Sequence, residues 1–251
     1  MKNIKKIILT SVVLASLVFI FAPTEFPENF RFQETLNSTL SSQEVVIIFN
    51  SGGWGNTPFD KAEDFAPIIK GIQETLTEFG LNSIVIPYER AENNFFGKIT
   101  ALKEMRRSSQ NQAEKLARNI DEYLTQNPGK KIIMAGLSNG GAFVNEVMEK
   151  ISNYKENNVF AIEIGTPFWE KPFNSKNILY LNNEGKDSLS EGKIKILFFA
   201  LFKTPFKWII SRTSGKNLSF SQAIRVPGHE YKWDVVGLEI TSFLENKFTS
   251  F

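Results

Sequence analysis

The chain has 251 residues and a formal net charge of +2, with 42% hydrophobic and 22% charged residues. That length suits one sizeable α/β domain, and a charge so near zero gives no reason to expect a nucleic-acid partner. Cysteine is absent and histidine occurs once, which excludes disulfides, thiolate catalysis, cysteine zinc sites, lipoprotein acylation and a histidine-based metal centre.

At the amino end, Lys2, Lys5 and Lys6 precede an apolar run, Ile7 to Ala22, broken only by Thr10, Ser11 and Ser16. Such a run is either a cleaved secretory signal or an uncleaved signal-anchor. Phe19, Ile20, Phe21 and Ala22 fit a small-residue cleavage site poorly, so residues 1–22 read as a membrane anchor. Lysines before the run and Glu25 and Glu28 after it leave the amino end in the cytoplasm and the rest of the chain outside, in the cell envelope. Cleavage would make the protein secreted.

Residues 23–43 are polar and mixed, without a sustained period, and read as a tether free to pack on the domain edge. Glu44 to Phe49 (EVVIIF) is a continuous β-branched run, as in a strand buried on both faces of a parallel sheet. A glycine-rich loop, NSGGWGNTP, follows, then a helical pattern from Asp60 to Phe79 closed by Gly80. Asn82 to Pro87 is the next strand, leading into Tyr88, Glu89 and Arg90. Ala91 to Asn111 reads as loop running into helix, and Ala113 to Leu124 as an amphipathic helix stopped by Asn127-Pro128-Gly129. A strand over Ile132 to Ala135 precedes a small-residue turn and a helix from Phe143 to about Ile151. Short strands follow at Val159–Ile164, Ile178–Leu181 and Leu218–Val226, and Val235 to Phe248 closes the chain as an amphipathic helix. Strands alternating with helices predict a mostly parallel sheet covered on both faces, with no internal repeats.

One segment breaks that rhythm. Gly192 to Ser211 is intensely apolar, yet holds lysines at 193, 195, 203 and 207. At ~100° per residue these lysines fall within about 160° of one another, which leaves the opposite face to Ile, Leu, Phe and Trp. The insertion, about 188–216, has three readings: a core helix on the sheet, a lid or membrane-surface element, or a second span, which the lysines oppose. Pro205 is expected to break or kink a helix there.

The turn after the third strand carries Gly136, Ser138 and Gly140, a G-x-S-x-G pattern between strand and helix. A serine at the tip of such a turn is exposed in strained geometry, and the flanking glycines leave it room. Its hydroxyl needs a base and the base needs an orienting group. Only His229 is available as the base, and it lies in VPGHEY, after the last predicted strand. That is the sheet edge on which Ser138 stands. The acid is expected between serine and histidine in the chain. Asp187 is preferred, with Glu184 in the same loop and Glu163 inside a strand as alternatives. Oxyanion donors are expected from the Asn139 N–H and from Gly52 in the first loop, with Gly53 next in order.

With GLSNG around Ser138, an acid at Asp187 and PGH at Pro227–His229, residues 44–251 resemble the α/β-hydrolase superfamily in content and in order. The resemblance implies Ser138 as nucleophile, Asp187 as acid and His229 as base. Two features depart from it: NSGGWG lacks the His-Gly beginning common in the superfamily, and the first two strands of larger members are missing. A minimal sheet of about six strands is the expectation.

The function expected is a membrane-anchored serine hydrolase acting on a carboxylic ester, of esterase or lipase kind, with no cofactor. The phenylalanine-rich 192–211 stretch tilts the substrate toward an acyl or lipid ester and offers a second membrane contact. The contrasting expectation is a non-catalytic envelope protein that keeps the fold for binding or scaffolding.

Overall fold

The computed structural model describes residues 32, 34–36, 43–53, 55–90, 110–152, 157–215 and 226–249. Five strands form one sheet: β1 Val45–Asn50, β2 Ser83–Pro87, β3 Lys131–Leu137, β4 Val159–Ile164 and β5 Ile178–Leu181. Their order is β2-β1-β3-β4-β5 and every pairing is parallel. The helices are α1 Ala66–Glu78, α2 Gln110–Gln126, α3 Asn139–Lys150, α4 Ile194–Thr213 and α5 Trp233–Phe248, with a short 3-10 turn at Phe59–Lys61. This is an α/β fold with a parallel sheet flanked by helices.

The β-branched runs explain why the strands sit where they do. All six residues of β1 and of β4 are buried, and all but Asn50 and Glu163 are apolar, as burial on both faces requires. One face of the sheet (Val46, Ile48, Ile132, Met134, Val159, Ala161) packs against α2 and α3 through Leu116, Ile120, Phe143 and Val147. The other (Ile47, Ile133, Ala135, Phe160, Ile162) packs against α1 and α5 through Ile68, Ile72, Ile240 and Leu244. Each fully buried aliphatic side chain contributes roughly 1.5–3 kcal/mol. The two edge strands, β2 and β5, bury fewer of their residues.

Several boundaries differ from those expected. The Asp60–Phe79 helix is a 3-10 turn followed by α1, which begins with Pro67 at its start, where a missing N–H costs nothing. Helix α3 begins at Asn139, not at Phe143, so Gly140 and Gly141 lie in its first turn. The tether is not wholly outside the core: Phe32 and Leu36 are buried, and Phe32 meets Tyr88 edge-to-face at 5.1 Å. Helix α4 runs uninterrupted through Pro205. A proline withdraws one N–H from one carbonyl, and the turns on either side keep theirs. The expected anchor at 1–22 lies outside the described residues, as does nearly all of the strand expected at Leu218–Val226. Among the described residues, no helix is long and apolar enough to cross a membrane.

The chain leaves β1 toward β2 on one side and then crosses to β3 on the other. Such a reversal opens a crevice at the carboxyl ends of β1 and β3, the usual ligand position in open parallel sheets.

Candidate active site

Ser138 stands at that crevice, between β3 and α3, with φ 53° and ψ −119°. A serine with positive φ is strained by roughly 1–3 kcal/mol and persists only where its surroundings enforce it. The surroundings here are backbone. A side chain at Gly136 would collide with the Gly140 carbonyl, and one at Gly140 would collide with the Asn50 and Ser51 carbonyls. The Ser138 N–H donates to Ile164 O at 2.7 Å, and its own carbonyl accepts from Ala142 N at 3.1 Å. The glycines therefore serve close approach: they let the elbow sit between β1, β4 and the first turn of α3.

His229 lies in the loop before α5. Its Nδ1 is 2.7 Å from Asp187 Oδ2. The two loops are fastened together: Ser188 N donates to Pro227 O at 3.0 Å, Asn183 Nδ2 to Gly228 O at 2.9 Å. Gly228, at φ 79°, passes so close to the Lys186 carbonyl that no side chain fits.

Asp187 is fully buried yet richly bonded. Oδ1 accepts from Leu189 N at 2.8 Å and Ser190 N at 3.3 Å, while Oδ2 also accepts from Ser190 Oγ at 3.0 Å and Tyr231 Oη at 2.5 Å. Burial pushes the carboxyl upward, but the His229 and Tyr231 hydrogen bonds outweigh it and hold the pKa down to about 2. Asp187 is thus ionised at neutral pH. An ionised partner makes His229 Nδ1 the donor, the tautomer whose neutral ring has its lone pair on Nε2. Tyr231 responds in the opposite sense: burial, then the adjoining Asp187 charge, raise its hydroxyl pKa, so it stays a donor.

The two halves of the site meet around one residue. Gly165 follows the Ile164 carbonyl that holds Ser138 N, and a side chain on it would lie 2.8 Å from His229 Cε1 and 3.0 Å from Asp187 Oδ2. Ser138 Oγ itself makes no hydrogen bond to His229 in this structure, a contact that often tightens only when substrate is bound.

No protein-family model matches this chain, and no curated protein matches it in sequence. Among solved structures it is similar to a Trichoderma reesei cutinase in complex with a C11Y4 phosphonate inhibitor, at 16% identity and a TM-score of 0.45. The match covers 64% of this chain and 75% of the cutinase. So distant a likeness carries no activity from one chain to the other.

The alternative acids lie elsewhere. Glu184 is exposed and pairs with Lys186 at 2.6 Å. Glu163 is buried on β4, on the α3 side of the sheet, where Thr166 Oγ1 donates to it at 3.4 Å. Burial there raises its pKa well above the usual range.

At the expected oxyanion position, Asn139 opens α3, where a free helix N-terminus favours negative charge. Asn139 Nδ2 donates to Gly53 O at 3.1 Å, tying the elbow to the first loop. Gly52 lies beside the end of β3, since a side chain on it would be 3.2 Å from Leu137 O. Three residues that the sequence reading passed over also belong here. Tyr231 and Ser190 bond Asp187, and Arg90 donates from Nη2 to Ser51 O at 2.6 Å and from Nη1 to Asn139 O at 3.1 Å. One guanidinium thus holds both walls of the crevice. The spacing of His229 and Tyr231, two residues apart in an extended loop, was the one sequence signal available for Tyr231.

Proposed function

We propose that this chain is a serine hydrolase of the α/β-hydrolase type that cleaves carboxylic esters. The observation that carries the reading is the strained Ser138 backbone at the sheet's crevice, enforced by backbone contacts at Gly136 and Gly140. Strain of this kind in a non-glycine residue is kept where an exposed side chain must be aimed.

His229 Nε2 takes the Ser138 hydroxyl proton as Oγ attacks the ester carbonyl, and the carbonyl electron pair moves onto oxygen. The N–H groups of Asn139 and Gly52 receive that oxyanion; losing one such donor costs roughly 3 kcal/mol in an acyl-transfer site. Collapse expels the alcohol, which takes its proton from His229 and leaves an acyl-Ser138. Water, deprotonated by His229, repeats the attack and releases the acid. Asp187 stays ionised throughout, holding the Nδ1–H and stabilising the imidazolium. The same residues would serve an amide or thioester. The proposal extends to residues 1–22 as a membrane anchor that leaves this domain outside the cytoplasm, resting on the apolar run and its lysines.

A fluorophosphonate probe with intact-mass detection tests the reading. One adduct on the full chain and none on Ser138→Ala is the expected result. No adduct on folded protein would favour the second reading, a non-catalytic binding module, for which the unmade Ser138–His229 hydrogen bond is the supporting observation.

A further inference from the structure

Helix α4 buries two polar residues and exposes several large apolar ones. Thr204 and Ser211, seven residues apart, are buried at 1% and 6% exposure, while Phe199 and Ile210 are exposed at 61% and 62%. Ile196, Phe206 and Ile209 are exposed with them. At ~100° per residue these five span about 140° of the helix, an arc shared with exposed Lys195 and Lys203, while exposed Ile194, the first residue of the helix, lies off it. A helix packed only on its own domain would turn the apolar arc inward.

The apolar surface continues past the helix. Phe168 and Trp169, in the loop after β4, are exposed and packed edge-to-face at 5.2 Å. Phe168 N donates to Leu189 O at 3.1 Å, and a side chain on Gly192 would touch the Phe168 ring at 3.0 Å. Of the ten large hydrophobic residues exposed among those described, eight belong to this loop or to α4. The patch therefore starts beside the Asp187 loop and runs along α4. Contiguous exposure of this kind marks an interaction surface.

Charge decides the occupant. From Gly192 to Thr213 the chain has Lys193, Lys195, Lys203, Lys207 and Arg212, and no Asp or Glu. A second copy docking through this face would set Lys195 and Lys203 against their own counterparts. A lipid surface would take the aromatic and aliphatic arc into its acyl boundary, and lysine stems let their ammonium groups reach anionic headgroups. Each such lysine is attracted to an anionic leaflet, and the attraction adds from one lysine to the next. Among the described residues, no helix is suited to crossing a membrane, which leaves the in-plane position.

We propose that the outer face of α4, together with Phe168 and Trp169, docks this domain on an anionic lipid surface. The inference does not need the hydrolase reading; if that reading holds, docking sets the Ser138 crevice beside a lipid phase that supplies its ester.

The absence of native cysteine allows single labels. Phe199→Cys, Ile210→Cys and, as a control at an exposed position of α1, Glu74→Cys would each carry a polarity-sensitive fluorophore on the full chain. Vesicles of phosphatidylglycerol or phosphatidylcholine with brominated acyl chains supply the quencher. Because residues 1–22 alone can hold the protein on either vesicle, quenching at each label is the readout, not sedimentation. Labels at 199 and 210 should shift blue and be quenched on phosphatidylglycerol, with label 74 unchanged. Lys195→Glu with Lys203→Glu should abolish that quenching. Three results would overturn the proposal: labels 199 and 210 quenched no more than label 74 on vesicle-bound protein; a lipid-free blue shift that grows with protein concentration, meaning a second copy; or one independent of concentration, meaning cover by the chain itself. Fluorophosphonate labelling of Ser138, run in parallel, separates a failure here from a failure of the hydrolase reading.

Discussion

Tyr231 donates its hydroxyl to Asp187 at 2.5 Å, on the same Oδ2 that faces His229 Nδ1. The carboxylate that orients the imidazole is thus itself oriented from the far side. Hydrogen bonds to a charged, buried acceptor are worth roughly 1.5–3 kcal/mol. Tyr231→Phe removes one without opening a cavity. Ester turnover should fall about tenfold in kcat with KM little changed.

The same pair sets an acid limit on stability. Asp187 is held at about 2, below the ordinary 3.8. A carboxyl depressed on folding contributes stability fully above pH ~4, and loses it as the pH falls through about 2. Denaturant midpoints taken from pH 6 to pH 2 should show the Tyr231→Phe deficit shrinking across that window. A deficit independent of pH would mean that the hydroxyl acts by packing alone.

Ser138 is predicted to trade stability against chemistry. At φ 53° and ψ −119° a glycine is unstrained, so Ser138→Gly should raise the unfolding free energy by on the order of 1 kcal/mol, read as a higher urea midpoint, although glycine loosens the unfolded chain. The probe adduct should vanish in the same variant. An unchanged or lower midpoint would show that the backbone is not under strain.

How much of this was legible in the sequence depends on what each feature is made of. The apolar runs at Val45–Phe49, Ile132–Ala135 and Val159–Ile164 announced buried parallel strands because burial on both faces favours apolar residues at nearly every position, buried Glu163 being the exception. The elbow was legible for a similar reason: the Gly140 close approach forbids any other residue. Helix α4 was not. Its composition announced an apolar element, but nothing local says that Thr204 faces inward and Phe199 outward. Pro205 misled in the same way, since a break costs more than one missing hydrogen bond when turns on both sides are intact. Phe32 and Leu36 were missed because a two-residue anchor has no period.

Arg90 was missed because its role lies in two carbonyls distant in sequence. Its guanidinium spans Ser51 O and Asn139 O, joining the loop after β1 to the first turn of α3. Lysine keeps the charge but is a single point donor and cannot hold both. Arg90→Lys should let the two proposed oxyanion donors, at Asn139 and Gly52, drift apart, lowering kcat and the fluorophosphonate rate by roughly 10–100-fold while KM stays within about twofold. A matched rise in KM would place Arg90 in substrate binding instead.

Glu170 gives a prediction of opposite sign to that at Asp187. Burial, and then the neighbouring Glu146 charge, raise its pKa to about 7. A carboxyl raised on folding is protonated in the folded protein between about pH 4.5 and 7, and the unfolded chain has already lost that proton. Stability therefore falls as the pH rises through this interval, and the penalty is complete above it. Glu170→Gln fixes the neutral form. It should stabilise the protein at pH 8, on the order of 1 kcal/mol after allowance for solvent screening at a half-buried site, and have little effect at pH 4. Thermal midpoints of both proteins at the two pH values provide the check: a gain at pH 4 equal to that at pH 8 would mean that the charge on Glu170 is not what costs stability.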